Sequence, residues 1–178
     1  MRLKAMAKIN LGLDVLGKRE DGYHEVRMIM QTIRMYDILD IRKTRRPGIV
    51  LTTNLPFIPT DQRNLVYKAA QMLMEEFDVE EGLSIKLRKF IPVAAGMAGG
   101  SSDAAAAFVG VNRMFHLGLT EEQLMERAVK VGADVPYCIM RGTALAEGIG
   151  EKLTRLPEVP KCYVLIGKPD QCFHKNSL

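Results

Sequence analysis

Residues 92–107 read PVAAGMAGGSSDAAAA, a run built almost entirely of small side chains. A strand that feeds a glycine-rich loop opening a helix brings backbone N–H groups and the positive helix end to one point, where a phosphate can bind. Gly96, Gly99 and Gly100 would let the backbone approach an anion with no Cβ in the way, and Ser101 and Ser102 would add hydroxyl donors. Small residues also let two elements cross at close range. The spacing is neither G-x-x-x-x-G-K-[ST] nor G-x-G-x-x-G, and by itself leaves both readings open. No lysine follows the last glycine, so a charge partner for a phosphate must come from elsewhere; Lys8 and Lys89 are the candidates.

The elements that must position these residues follow from periodicity. From residue 2 to 16, Leu3, Ala5, Ala7, Ile9, Leu11, Leu13 and Val15 alternate on what should be the buried face of a strand. Lys8 and Asn10 then share the other face, about 7 Å apart at the strand rise. KREDGY supplies turn residues, HEVRMIMQTI and YDILDIR read as two extended pieces, and GIVLTT as a further strand. A helical stripe follows Asn64 through Leu65, Ala69, Met72, Leu73 and Phe77. LSIKLRKF alternates as a strand into the small-residue run. Ser-Ser-Asp then offers N-cap chemistry to a helix apolar nearly all round, from Ala104 to Phe115, which should be central and buried. Thr120 opens a Thr-x-x-Gln capping box on a helix that Gly132 stops. GTALAEG and KCYVLIG are the last strand candidates. The expected class is α+β, a mostly antiparallel sheet packed with helices.

Length and composition narrow the functional classes. The 178 residues suit one well-buried domain, and 47% hydrophobic with 26% charged residues is an ordinary globular balance. The net charge is +4, and the dense basic run Arg42, Lys43, Arg45, Arg46 has no interleaved aromatic for base stacking. It reads as a solvated turn, and no nucleic-acid partner is expected. Cys138, Cys162 and Cys172 match neither zinc-site nor redox spacing. The longest uncharged run, 90–102, is about 13 residues against the about 20 of a membrane span. No membrane partner and a cytoplasmic location are expected.

With these residues in view, AKINLGLDVLGKREDGYHEV (7–26), PVAAGMAGGSSDAA and GADVP (132–136) together resemble the 4-diphosphocytidyl-2-C-methyl-D-erythritol kinases of the GHMP kinase superfamily, in family order and at family-like intervals. The resemblance covers roughly residues 1–169, in keeping with ordinary domain size. It implies a GHMP kinase N-terminal, ATP-binding domain. The implied activity is transfer of phosphate from ATP, with Mg²⁺, to a hydroxyl of a cytidine diphosphate substrate in non-mevalonate isoprenoid biosynthesis. On this resemblance Asp134 is the general base and Lys8 stabilises the attacking oxygen and the γ-phosphate. Asn10, Tyr23 and His24 hold the substrate, the last two at its cytosine. The nucleotide falls to Pro92, Val93, Ala94, Ala95, Gly96, Met97, Ala98, Gly99, Gly100, Ser101 and Ser102, with Asp103, Lys89 and Asn64. Without the resemblance, Asp134 reads as a turn aspartate, Asn64 as a helix N-cap, and Tyr23 and His24 as surface turn residues. No Mg²⁺ ligand is identified; the hydroxyls of Ser101 or Ser102 are the donors left open.

Two departures from the family pattern carry expectations. Met97 and Ala98 stand where the family commonly has leucine and glycine, and Ala98 would restrict the loop if its φ must be positive. After YVLIGKP the residues DQCFHKNSL resemble no family segment, so 170–178 reads as a non-family tail. A truncated or frame-shifted product lacking the C-terminal domain is expected, with impaired activity and self-association through the uncovered surface. The alternatives are a catalytically silent nucleotide-binding fragment and a different GHMP-superfamily small-molecule kinase.

Overall fold

A computed structural model describes residues 1–20 and 22–168. Asp21 of the expected turn, Cys172 and the expected tail 170–178 lie outside the described residues. The chain runs β1 (Arg2–Lys18), β2 (His24–Thr44), β3 (Ile49–Thr53), α1 (Leu65–Glu76), β4 (Gly82–Arg88), α2 (Gly99–Phe115), α3 (Glu121–Ala128), α4 (Val135–Met140), β5 (Thr143–Gly148) and β6 (Lys152–Arg155). Among the described residues six strands form one sheet of order β3-β4-β2-β5-β6, with β1 also paired to β2. Every pairing is antiparallel except β3 with β4, so the expected mostly antiparallel α+β fold stands.

The two extended pieces expected over residues 24–42 are one strand. Between the pairs Met6↔Tyr36 and Lys8↔Thr32, β1 advances two residues while β2 retreats four, so β2 bulges around residues 33–35. The bulge changes which residues face the core. Met28 and Met30 are buried before it, and Asp37, Leu39 and Ile41 after it.

The core lies between the sheet and the helices. As its composition requires, α2 is buried along most of its length and touches α1, α4, β1 and β2. Each fully buried large side chain, such as Phe108 or Leu73, contributes about 1.5–3 kcal/mol over the exposed state. Gly110 allows the close crossing of α2 over the sheet: a Cβ there would stand 2.4 Å from Ile41 Cδ1 and 2.7 Å from Leu3 Cδ1. Thr120 caps α3 with the complete box expected, its hydroxyl accepting from Gln123 N–H.

Other expectations are corrected. Ser-Ser-Asp is not the N-cap of α2: the helix starts at Gly99, with Ala98 as N-cap in the left-handed region at φ 53°, so Ser101, Ser102 and Asp103 lie inside it. Leu11, Leu13 and Val15 are half exposed, because the far half of the β1–β2 ribbon extends past the helices. KCYVLIG forms no strand among the described residues, and Tyr163 and Leu165 are fully exposed. The short helix α4 and strand β6 had no sequence signal strong enough to be read.

Candidate active site

Met97 and Lys8 join the glycine run to β1: the Lys8 N–H donates to the Met97 carbonyl at 3.2 Å. Ala7, Ile91 and Met97 form a small apolar cluster beneath the loop, which fixes its height over the strand. Ala94, Gly96 and Ala98 all have positive φ (56°, 70° and 53°), so the segment between β4 and α2 is tightly folded. Each of the two alanines costs about 1–2 kcal/mol of backbone strain in this region. The expected restriction at Ala98 is therefore real, since its φ is positive. No side chain caps α2, and its N-terminal turn opens towards the loop.

These residues surround a cavity of about 710 Å³. Pro92 to Gly100 line it, together with Asn64, Lys89, Asp103 and Asp134, so most of the residues named from the sequence meet at one place. Asn64 is also the N-cap of α1, accepting from the Val66 N–H at 2.9 Å while its amide donates to the Pro59 carbonyl at 2.7 Å. Ser102 is turned away: its hydroxyl donates to the Met6 carbonyl at 2.5 Å and lies 3.4 Å from Cys138 Sγ. Neither it nor Ser101 lines the cavity.

Asp134 is placed by α4. It stands at the N-cap position, where a carboxylate ordinarily accepts from the first-turn amides, yet it makes no such bond. Its Oδ2 instead lies 3.7 Å from Lys8 Nζ, and its side chain is 34% exposed against 6% for Lys8. Lys8 Nζ also donates to Asn10 Oδ1 at 3.0 Å, so strand β1 supplies the lysine and its neutral partner from one face. A carboxylate free of capping bonds beside a buried ammonium at the edge of this cavity can take a proton from a hydroxyl while the lysine steadies the developing charge.

A second charged cluster lies behind the loop. Lys89 Nζ donates to Asp37 Oδ2 and, at 2.6 Å, to Asp103 Oδ2. Burial pushes the Asp103 carboxyl up to about 8 against the pull of Lys89, with Asp37 adding repulsion. Its Oδ1 has no hydrogen-bond partner among the described residues. Burial likewise pushes the Cys138 thiol up to about 12, which leaves it a poor nucleophile.

Tyr23 and His24 are not brought to this cavity by the described residues. They are exposed at the far turn of the ribbon, where Lys18 pairs with His24, whereas Asn10 pairs with Met30. Eight residues of strand separate Asn10 from Lys18, about 26 Å along the ribbon.

The GHMP kinases N terminal domain family matches residues 64–142, which contain the glycine loop, α2 and Asp134. This chain carries a GHMP kinase N-terminal domain. A Lachnospira eligens protein named 4-diphosphocytidyl-2-C-methyl-D-erythritol kinase is 57% identical over 169 residues, covering 95% of this chain and 59% of the relative. A protein of the same name from Lachnoclostridium phytofermentans is 59% identical over 167 residues, covering 94% and 57%. The chain thus spans less than two thirds of the length of these relatives. A crystal structure of a 4-(cytidine 5'-diphospho)-2C-methyl-D-erythritol kinase superposes with a TM-score of 0.75 at 35% identity, covering 88% of this chain and 55% of that one. Methanococcus jannaschii mevalonate kinase, at 16% identity and a TM-score of 0.68, shares the fold.

Two residues of this GHMP kinase domain escaped the sequence reading. Arg63 lines the cavity and pairs with Asp61, whose carboxyl it holds down at about 2; both sit in a loop whose composition marks nothing. Asp37 is fully buried in β2. It did leave a signal, since it alternates with Leu39 and Ile41 on a face that is otherwise apolar.

Proposed function

We propose that this chain binds ATP with its phosphates over the Pro92–Gly100 loop and the open end of α2, and transfers the γ-phosphate to a hydroxyl of 4-diphosphocytidyl-2-C-methyl-D-erythritol. The observation that carries the reading is Asp134, free of capping duty, 3.7 Å from buried Lys8 and lining the glycine-loop cavity. Asp134 takes the proton of the acceptor hydroxyl; Lys8, held by Asn10, stabilises the attacking oxygen and the γ-phosphate. The substrate assignment is supported by the names of the relatives and by Asn10, Tyr23 and His24 in the order of their motif. The resemblance assigns the cytosine to Tyr23 and His24, although both stand at the ribbon tip and neither lines the cavity.

Mg²⁺, when bound, neutralises charge on the phosphates being transferred. No group of three or more His, Cys, Asp or Glu side chains suited to a metal occurs among the described residues. An ion here would be held mainly by phosphate oxygens and water. No helix among the described residues is long and apolar enough to cross a membrane. A cytoplasmic location and self-association through the exposed Leu11, Leu13, Val15 and Leu16 complete the reading.

Release of ADP in the presence of Mg-ATP and the cytidylylated substrate tests it, with Asp134→Asn alongside. Turnover that this substitution abolishes is the expected result. The rival reading, nucleotide binding without catalysis, is favoured by the exposure of Tyr23 and His24 far along the ribbon; it predicts ATP binding with no turnover in either protein.

A further inference from the structure

Asp37 has no part in the proton or phosphate transfer, yet its carboxylate is wholly buried and every oxygen of it is used. Oδ1 accepts from the backbone N–H groups of Phe90 and Ile91, at 2.5 and 2.8 Å, and Oδ2 accepts from Lys89 Nζ. Lys89 continues the chain of bonds to Asp103 Oδ2 at 2.6 Å. The Lys89 backbone is fixed in turn by Asn54, whose amide exchanges two hydrogen bonds with it at 2.8 and 3.2 Å.

The positions of these partners give the cluster its meaning. Phe90 and Ile91 are where the chain leaves β4 for the glycine loop, and Asp103 lies in α2 just after the loop ends. Both ends of the loop are tied to one buried carboxylate on β2. Between the ties stand Ala94, Gly96 and Ala98 with positive φ, a shape that persists only where the surroundings over-determine it. Gly99 completes the fit, since a Cβ on it would come within 3.2 Å of Lys89 Nζ.

We propose that Asp37 is a positioning residue for the phosphate loop: through Phe90, Ile91 and the Lys89–Asp103 bridge it holds the loop in its anion-binding shape before any nucleotide arrives. The idea rests on reading the loop as the phosphate site. Lys89 is then a bridge between the Asp37 carboxylate and the Asp103 carboxyl group and not the charge partner of the phosphate, which leaves that duty to Lys8. Donors fixed in advance bind an anion without the cost of ordering them on arrival.

The test compares ATP with adenosine, which lacks the phosphates. By titration calorimetry on the 178-residue chain, Asp37→Ala should weaken ATP binding roughly tenfold to a hundredfold, as a displaced binding loop does. Adenosine binding should stay within about twofold. Asp37→Asn keeps an oxygen for the two N–H groups but loses the bond from Lys89, so its loss for ATP should be smaller. Equal losses for ATP and adenosine, or none, overturn the proposal. If Asp37→Ala does not fold, Asp103→Ala cuts only the α2 side and puts a strong helix former into that helix. Amide hydrogen exchange at residues 90–98 should then quicken with that in α1 unchanged, and unchanged exchange at 90–98 overturns the proposal. A parent chain that binds no ATP sinks the functional reading instead, and the exchange measurement still decides the role of Asp37.

Discussion

Lys8→Met and Asp134→Asn should both stop turnover, but their effects on stability should differ in an order that the exposures dictate. At 3.7 Å two unit charges gain roughly 4–5 kcal/mol with an effective dielectric of about 20. Much of that is consumed in dehydrating Lys8, whose side chain is 6% exposed, while Asp134, at 34%, keeps water. In Lys8→Met the buried charge and its dehydration cost vanish together, a side chain of similar length fills the space, and Asp134 turns to solvent. The net change should be within about 1 kcal/mol. In Asp134→Asn the ammonium stays buried with the neutral Asn10 oxygen at 3.0 Å, and the loss should be about 3 kcal/mol. The double variant should be close to Lys8→Met alone, a coupling of about 3 kcal/mol between the sites. Urea unfolding at pH 7 reads the stabilities, and ADP release reads the activities, which should fall at least about a hundredfold in each single variant. If Lys8→Met proves the more destabilising, or the two losses simply add, the pair is not organised around a buried ammonium and the reasoning fails.

Asp103→Asn tests the cluster behind the loop through pH. Burial raises the Asp103 carboxyl from 3.8 to about 8, so between those values the folded chain keeps a proton that the unfolded chain has released. Stability must fall as pH rises through that window, and the variant, which cannot titrate, should gain on the parent steadily from pH 5 to 8 in urea unfolding; a constant difference between the two refutes it. Ala98→Gly should raise the free energy of urea unfolding by up to about 1 kcal/mol, because relief of the left-handed strain outweighs the extra freedom of the unfolded glycine; a lowered value shows that the strain is absent. Tyr23→Ala and His24→Ala, at exposed positions, should leave stability within about 0.5 kcal/mol and raise the KM for the cytidylylated substrate with that for ATP unchanged. Equal rises in both KM values would speak against a cytosine contact.

What the sequence disclosed was governed by how far apart the interacting groups lie. Thr120 and Gln123 satisfy each other within one helical turn, and Asn64 caps α1 two residues ahead, so both were legible as local chemistry. Alternation identified β1 correctly but could not say what lies over it, and Leu11, Leu13 and Val15 stayed half exposed. The same limit undid KCYVLIG, since a strand needs an edge as well as a pattern. Residues 135–140 are too few to show a helical period, and Pro136, which suits a first helical turn, also suits the turn read there. Ser-Ser-Asp looked like an N-cap by composition, but the loop brings Ala98 into the left-handed region first and the helix begins there.

Asp37 shows where the boundary falls. Its alternation with Leu39 and Ile41 places a charge on a buried face, and a buried charge must be paired, so the existence of a partner was readable from residues 36–42 alone. The identity of the partner was not, because Lys89 is 52 positions away and reaches Asp37 only after β2 and β4 pair from Ile38↔Arg88 to Thr44↔Gly82. That pairing also decides the fate of Lys89. Its charge fitted a phosphate contact as a residue beside a glycine run, and fits a bridge once the Asp37 carboxylate and the Asp103 carboxyl group are found upon it. A basic residue near an anion loop is therefore a candidate ligand only when the fold leaves its charge unspent, and by that criterion Lys8, with Asp134 partly open to water, is the better placed of the two.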